Sequence, residues 1–201
     1  MRIKRIVRCV LTYVRYPVVA SYLRFLGSKN FTIDKGLQIN RLSKLFIGNN
    51  VAIGRHARFL LIPEYCGKHY NPRIVIGNNV SIGNRFSALS ADDIIIEDNN
   101  LIASDVLITS ENHGVDIEES ESYASTQLIT APVVIKKGCW IGEKVSIMPG
   151  VVLGERCIVA ANAVVTHSFP QKTIIAGIPA KAVKRYDDIE HRWKQVINDE
   201  I

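Results

Sequence analysis

The stretch VVIKKGCWIGEKVSIMPGVVLGERCIVAANAVVTHSF, residues 133 to 169, returns one residue class every six positions without a slip. Ile135, Ile141, Ile147, Leu153, Val159 and Val165 form the series, and four places after each stands Cys139, Val145, Val151, Cys157, Ala163 or Phe169. Gly142, Gly150 and Gly154 sit beside it, where a chain must turn. Six is neither the period of two of a strand nor the 3.6 of a helix. It marks an internal repeat whose units bury their apolar sides against one another.

Toward the N-terminus the series continues as Ile33 and Ile39; Ile47, Ile53 and Phe59; Ile76, Ile82 and Ala88; and Ile96, Ile102 and Ile108. Grouped in threes, these positions make five full coils of 18 residues and a partial one. Each departure from six falls between the third position of one coil and the first of the next: two extra residues before Ile47, 11 before Ile76, two before Ile96 and 21 before Ile135. All insertions therefore leave one corner of a three-sided prism. The long ones, 63–73 and 109–132, leave two coils apart, about 10 Å along the axis at ordinary strand spacing. Loops of this length in a compact domain are usually functional. The shorter holds Tyr65, Lys68, His69, Tyr70 and Arg73; the longer begins with Ser110, Glu111, Asn112 and His113.

A chain of 201 residues with 47% hydrophobic content can bury a sizeable single core. Its net charge of +6 is local, since residues 1–30 carry seven basic side chains and no acid, leaving 18 basic against 19 acidic. Such a distribution gives no nucleic-acid footprint over the repeat. Cys9, Cys66, Cys139 and Cys157 show no paired metal spacing and point to reduced thiols in the cytoplasm. Cys139 and Cys157 stack one coil apart, as core fillers or, less simply, a bridge. No run of about 18–20 uncharged apolar residues spans a membrane, and Arg8 and Arg15 interrupt any secretory leader.

Residues 3–26 read as an amphipathic helical segment, with Ile3, Ile6, Val7, Val10, Leu11 and Val14 on one face and Pro17 breaking or restarting it. The segment 1–30 reads as a cap over the open end of the stack or a helix lying on an anionic bilayer, and the two are not exclusive. At the other end, Asp187 and Glu190 have capping-box spacing, and Ile189, Trp193, Val196 and Ile197 share a helical face, which predicts a short helix over 187–201.

Hexads of the form Ile-Gly-x-x-Val-x, a long loop with Asn112-His113, Trp140-Ile141-Gly142 and a closing Ala176-Gly177-Ile178-Pro179-Ala180-Lys181 resemble the hexapeptide-repeat acyltransferases. The likeness covers about residues 31–186 and is strongest to the maltose, galactoside and lipopolysaccharide O-acetyltransferase branch. It implies an all-β, left-handed parallel β-helix, a homotrimer, and acetyl-CoA as co-substrate in a groove between subunits, with no metal.

Acyl transfer to a hydroxyl needs a base for the hydroxyl proton, a donor for the developing oxyanion and a cradle for the carrier. The resemblance makes His113 the base, imidazole being the side chain whose neutral form accepts a proton near pH 7. Asn112, Asp93, Glu111 and Asp116 are candidates to orient it, with Asp92 behind them. By the same carry-over Trp140, Gly142, Ala161 and Thr166 line the pantetheine channel, and Lys181, Lys184 and Arg185 meet the phosphates. Ala160-Ala161-Asn162-Ala163 and His167 depart from the family's smaller residues and its frequent lysine. Tyr65, His69 and Tyr70, with Asp92 and Glu111, are placed to bind a sugar.

The function expected is acetylation of a sugar hydroxyl in surface polysaccharide or lipid-linked glycan synthesis, in the cytoplasm or on the inner face of the membrane. N-acylation of an amino-sugar uses the same parts. A non-catalytic trimeric scaffold would make His113 incidental. The zinc-dependent γ-carbonic anhydrases share the prism, but His56, His69, His113, His167 and His191 include no His-x4-His pair.

Overall fold

The computed structural model describes residues 2–116, 118 and 122–196. Three parallel sheets form the faces of a prism, a left-handed β-helix whose crossovers run against the usual right-handed rule. On the first face the inward ladder is Ile33, Ile53, Ile82, Ile102, Ile141, Val159 and Ile175. On the second it is Ile39, Phe59, Ala88, Ile108, Ile147 and Val165. On the third it is Ile47, Ile76, Ile96, Ile135 and Leu153, with Phe169 bridging to Leu153. These are the hexad positions in their expected register, and nearly all are fully buried.

Side-chain ladders hold the corners. Asn50, Asn79 and Asn99 all adopt left-handed backbone, which asparagine tolerates. Asn50 donates to Asn79 at 3.0 Å and Asn79 to Asn99 at 3.1 Å. Cys139 and Cys157 are free, buried thiols that donate to the carbonyls of Gly154 and Pro170 at 3.2 and 3.1 Å. The neighbouring Cys157 sulfur, with burial, pushes the Cys139 thiol up, and both side chains fill the core.

Two helices precede the prism. α1, Arg2–Arg15, is followed by α2, Pro17–Phe25, whose proline stands at the first turn, where its missing N–H costs nothing. α1 closes the free edge of the first coil. The Thr12 hydroxyl both accepts the Ile33 N–H (2.9 Å) and donates to the Ile33 carbonyl (3.2 Å), and Tyr16 accepts the Leu37 N–H at 2.9 Å. No helix among the described residues is long and apolar enough to cross a membrane.

The expected C-terminal helix is not formed over the described residues. Ala180–Asp187 and Arg192–Gln195 are instead antiparallel strands that extend the first face beyond Thr173–Gly177. The reason lies in the turn. The Asp187 carboxylate accepts the N–H groups of Ile189 and Glu190, both at 2.9 Å, and His191 turns left-handed. The same spacing that caps a helix thus closes a hairpin. Ile189 is left 91% exposed, while Trp193 packs edge-on to Tyr186 at 5.4 Å. Ile197 lies outside the described residues.

Lys194, 2.6 Å from Asp187, is the main cause that holds its carboxyl at about 2, with the two turn N–H groups adding to it. A depressed carboxyl stabilises fully above its ordinary value of 3.8 and loses that contribution as pH falls toward about 2. In a Trp140→Phe background, Trp193 fluorescence should report hairpin loosening with a midpoint near 2, moved upward toward 3.8 by Lys194→Met. A midpoint insensitive to Lys194 would refute the linkage.

Candidate active site

Both long insertions leave the corner between the second and third faces, and they fold onto each other. The first forms a hairpin of Glu64–Tyr65 and Lys68–His69. The second opens with the strand Glu111–His113, paired antiparallel with Leu128–Thr130. The Tyr65 hydroxyl donates to the Ala124 carbonyl at 2.7 Å, and its ring stands edge-on to the exposed His113 imidazole, centroids 5.3 Å apart.

Tyr70 is used differently from the expectation that it meets a sugar. Its hydroxyl accepts the N–H of Leu128 at 2.9 Å, and Leu128 is the cross-strand partner of His113. Tyr70 therefore fixes the ribbon that carries the imidazole. Tyr70→Phe should leave that buried amide without its acceptor, at a cost of about 1–3 kcal/mol. Exchange at the Leu128 amide should rise about tenfold or more, the lower end of that range, while global melting shifts little. Unchanged exchange would show that the ribbon holds itself.

Strand alternation sorts the candidates around His113. Glu111 and His113 share one face of the ribbon, and Asn112 projects from the other, so Asn112 does not stand beside the imidazole. Asp93 is also occupied: Arg73 reaches its two oxygens through Nε at 3.2 Å and Nη2 at 2.5 Å, bracing the base of the shorter insertion. Asp92 closes the corner, its carboxylate accepting the Asp93 N–H at 2.7 Å and its carbonyl the hydroxyls of Ser90 and Ser110 at 2.6 and 2.8 Å. Asp116 accepts the Glu118 N–H at 2.9 Å. Among the described residues, His113 and the Glu111 carboxylate have no hydrogen-bond partner. His69 pairs with Glu64 at 3.6 Å, on the opposite side of the hairpin from Tyr65.

Ala124 and Leu128 are site-shaping residues that the sequence reading passes over, and Arg73 is one that it names without a partner. Arg73 is recoverable, because Ile74 and Ile94 share a register position and so place it one coil from Asp93. Ala124 and Leu128 sit in an aperiodic loop and carry no signal.

The carrier-binding candidates gather on another side of the prism. Trp140 points outward from the first face, 52% exposed, in a ladder that runs Leu101, Trp140, Ile158 and Ile174. A register shift between Ile174 and Ile175 pairs Lys184 with Ile174 and Lys181 with Ala176. Directly opposed residues share a sheet face, so both lysines lie on the outer side at the end of the apolar ladder. An apolar strip ending in two cations fits a pantetheine arm with phosphates. Arg185 pairs with the inward Thr173 instead and falls outside that strip. Ala161 and Thr166 are exposed at the two corners bounding the second face.

Gly142 serves the stacking of the coils. It is buried, and a Cβ there would come within 2.6 Å of the Ala161 N and 2.8 Å of the Val159 carbonyl oxygen. Its bare backbone admits the next coil, so no ligand can take that space. A cleft of about 360 Å³ between α1 and the first face holds none of the expected residues, and its Arg15 and Arg55 both pair with Asp34. No three potential metal-ligating side chains gather among the described residues.

The bacterial transferase hexapeptide (six repeats) model matches residues 132–167. WbbJ of Escherichia coli K12, whose name assigns it provisionally to lipopolysaccharide biosynthesis as an O-acetyl transferase, is 35% identical over 129 residues. That match takes in 61% of this chain and 65% of WbbJ, so the chain spans just under two thirds of this curated relative. The hexapeptide-repeat acetyltransferase VCA0836 of Vibrio cholerae, solved with acetyl coenzyme A, is 30% identical over 68% of this chain and 71% of its own, with a TM-score of 0.52. AntD of Bacillus cereus, an N-acyltransferase, shares the fold at a TM-score of 0.68 and 23% identity over 85% of this chain and 90% of its own. The chain belongs to the hexapeptide-repeat transferases.

Proposed function

We propose that the protein transfers the acetyl group of acetyl-CoA to a sugar hydroxyl, with His113 as general base. The carrying observation is the edge-on packing of Tyr65 against an exposed His113 at the corner where the two insertions meet. That places a proton acceptor beside an aromatic side chain, the kind of surface on which a sugar ring stacks. Acetyl-CoA supplies the activated acyl group. His113 takes the hydroxyl proton as the new ester bond forms and returns it to the thiolate when the thioester bond breaks. Glu111, on the same ribbon face, is the carboxylate we assign to orient the imidazole.

Trp140, Lys181 and Lys184 are the carrier contacts in this reading, with Ala161 and Thr166 at the channel margins. They lie on a different side from His113, which supports a groove completed by a second subunit. The outward ladder Phe46, Val75, Ile95, Val134 and Val152 on the third face is apolar throughout and suits the packing of a homotrimer. We assign the acceptor to surface polysaccharide or lipid-linked glycan synthesis, in line with the naming of WbbJ. Four free cysteines suit the cytoplasm.

Thiol release from acetyl-CoA, measured against sugars, nucleotide-sugars, amino-sugars and lipid-linked glycans, tests the proposal. Release driven by a hydroxyl acceptor supports it. Release driven only by amines, or by no acceptor in the panel, would count against it.

A further inference from the structure

α1 docks on the prism by its less apolar side. The stripe facing the first coil is Cys9 and Thr12, continued by Tyr16 just past the helix end; Thr12 is 0% exposed, and Cys9 donates to the Phe31 carbonyl at 3.4 Å. Ile6, Val7, Val10 and Val14 fall on the opposite side of the helix and are exposed, Val14 by 71%. α2 buries Ala20 and Leu23 in the core but leaves Val18 and Phe25, seven residues apart, facing outward, Phe25 by 85%. An amphipathic helix ordinarily buries its apolar stripe. Here α1 presents it, α2 adds Val18 and Phe25, and such a surface marks a partner.

Charge identifies the partner. Residues 1–30 carry seven basic side chains and no acid. Arg15 is held on the prism side by Asp34 at 3.0 Å, whereas Arg24 is exposed and has no ion pair among the described residues. A second copy docking through the same face would bring two acid-free basic segments together in a two-fold contact. An anionic bilayer accepts both features, the apolar side chains at the acyl boundary and the cations among phosphates. We infer that α1 and α2 form a docking face for an anionic lipid surface, with the prism closed by the other side of the same helices. Capping and membrane contact are thus carried by opposite faces of one element.

Sedimentation of the full chain with phosphatidylglycerol–phosphatidylcholine vesicles tests this without any acyl transfer. Binding should be absent on phosphatidylcholine alone and weaken with salt. Val10→Asp with Val14→Asp should lower partitioning by at least about tenfold, and Arg24→Gln by about fivefold. Both sites are exposed, so circular dichroism and melting should match the parent. Vesicle binding unaltered by the double substitution overturns the inference. So does an altered oligomer mass with vesicle binding unchanged, which would make the face a subunit contact.

Discussion

His113→Ala should reduce acetyl transfer by about two to four orders of magnitude, the usual worth of a positioned general base, and leave fold and subunit mass intact. The imidazole is exposed and bonds to nothing among the described residues, so its removal opens no cavity and strands no buried group. Glu111→Gln should give a smaller loss, confined to kcat, because Glu111 acts through the imidazole and leaves carrier binding untouched. If His113→Ala retains full turnover, the base lies elsewhere and the proposed chemistry at this corner fails. A loss accompanied by a lower melting temperature would instead make the residue structural.

Gly142→Ala should lower stability and not, in the first place, affinity for the carrier. The added carbon meets next-coil backbone at 2.6 Å, and neither coil can retreat without disturbing its own ladder. Overpacking costs typically about 1–3 kcal/mol, which in a domain of this size lowers Tm by about 2–4 °C per kcal/mol. A fall of about 2–12 °C is therefore expected, read by thermal unfolding. An unchanged Tm with a raised KM for acetyl-CoA would restore the ligand-facing role that the family resemblance assigns to this glycine.

These two residues show where sequence is informative and where it is not. Period six names the inward residue of every coil, because most coil strands are only two or three residues long and each face presents its ladder residue to the core once per coil. The breaks in the period name the corner, because an insertion cannot leave from a face without destroying its ladder. Gly142 is different: a missing Cβ serves ligand approach and coil stacking alike, and only the position of Ala161 decides. Asp187 and Glu190 carry the spacing of a helix cap, yet left-handed His191 and the Tyr186–Trp193 contact make a hairpin of it. Asn112 and Asp93 lie near His113 in the chain or in the coil register. One is turned away by strand alternation and the other is held by Arg73, neither of which short spacing can express.

The Thr12 and Tyr16 hydroxyls on the first coil have a wider consequence. A parallel β-helix ends in bare strand edges, and an edge whose amides and carbonyls are free is a template on which another chain can grow. Two hydroxyls that imitate the hydrogen bonds of a preceding strand stop that growth at one end. At the other, the outermost strand among the described residues is Arg192–Gln195, with Arg192 and Lys194 tied to Asp187 and Glu190. The molecule thus stays a closed particle of finite length, although each of its repeats, taken singly, is the building unit of a fibre.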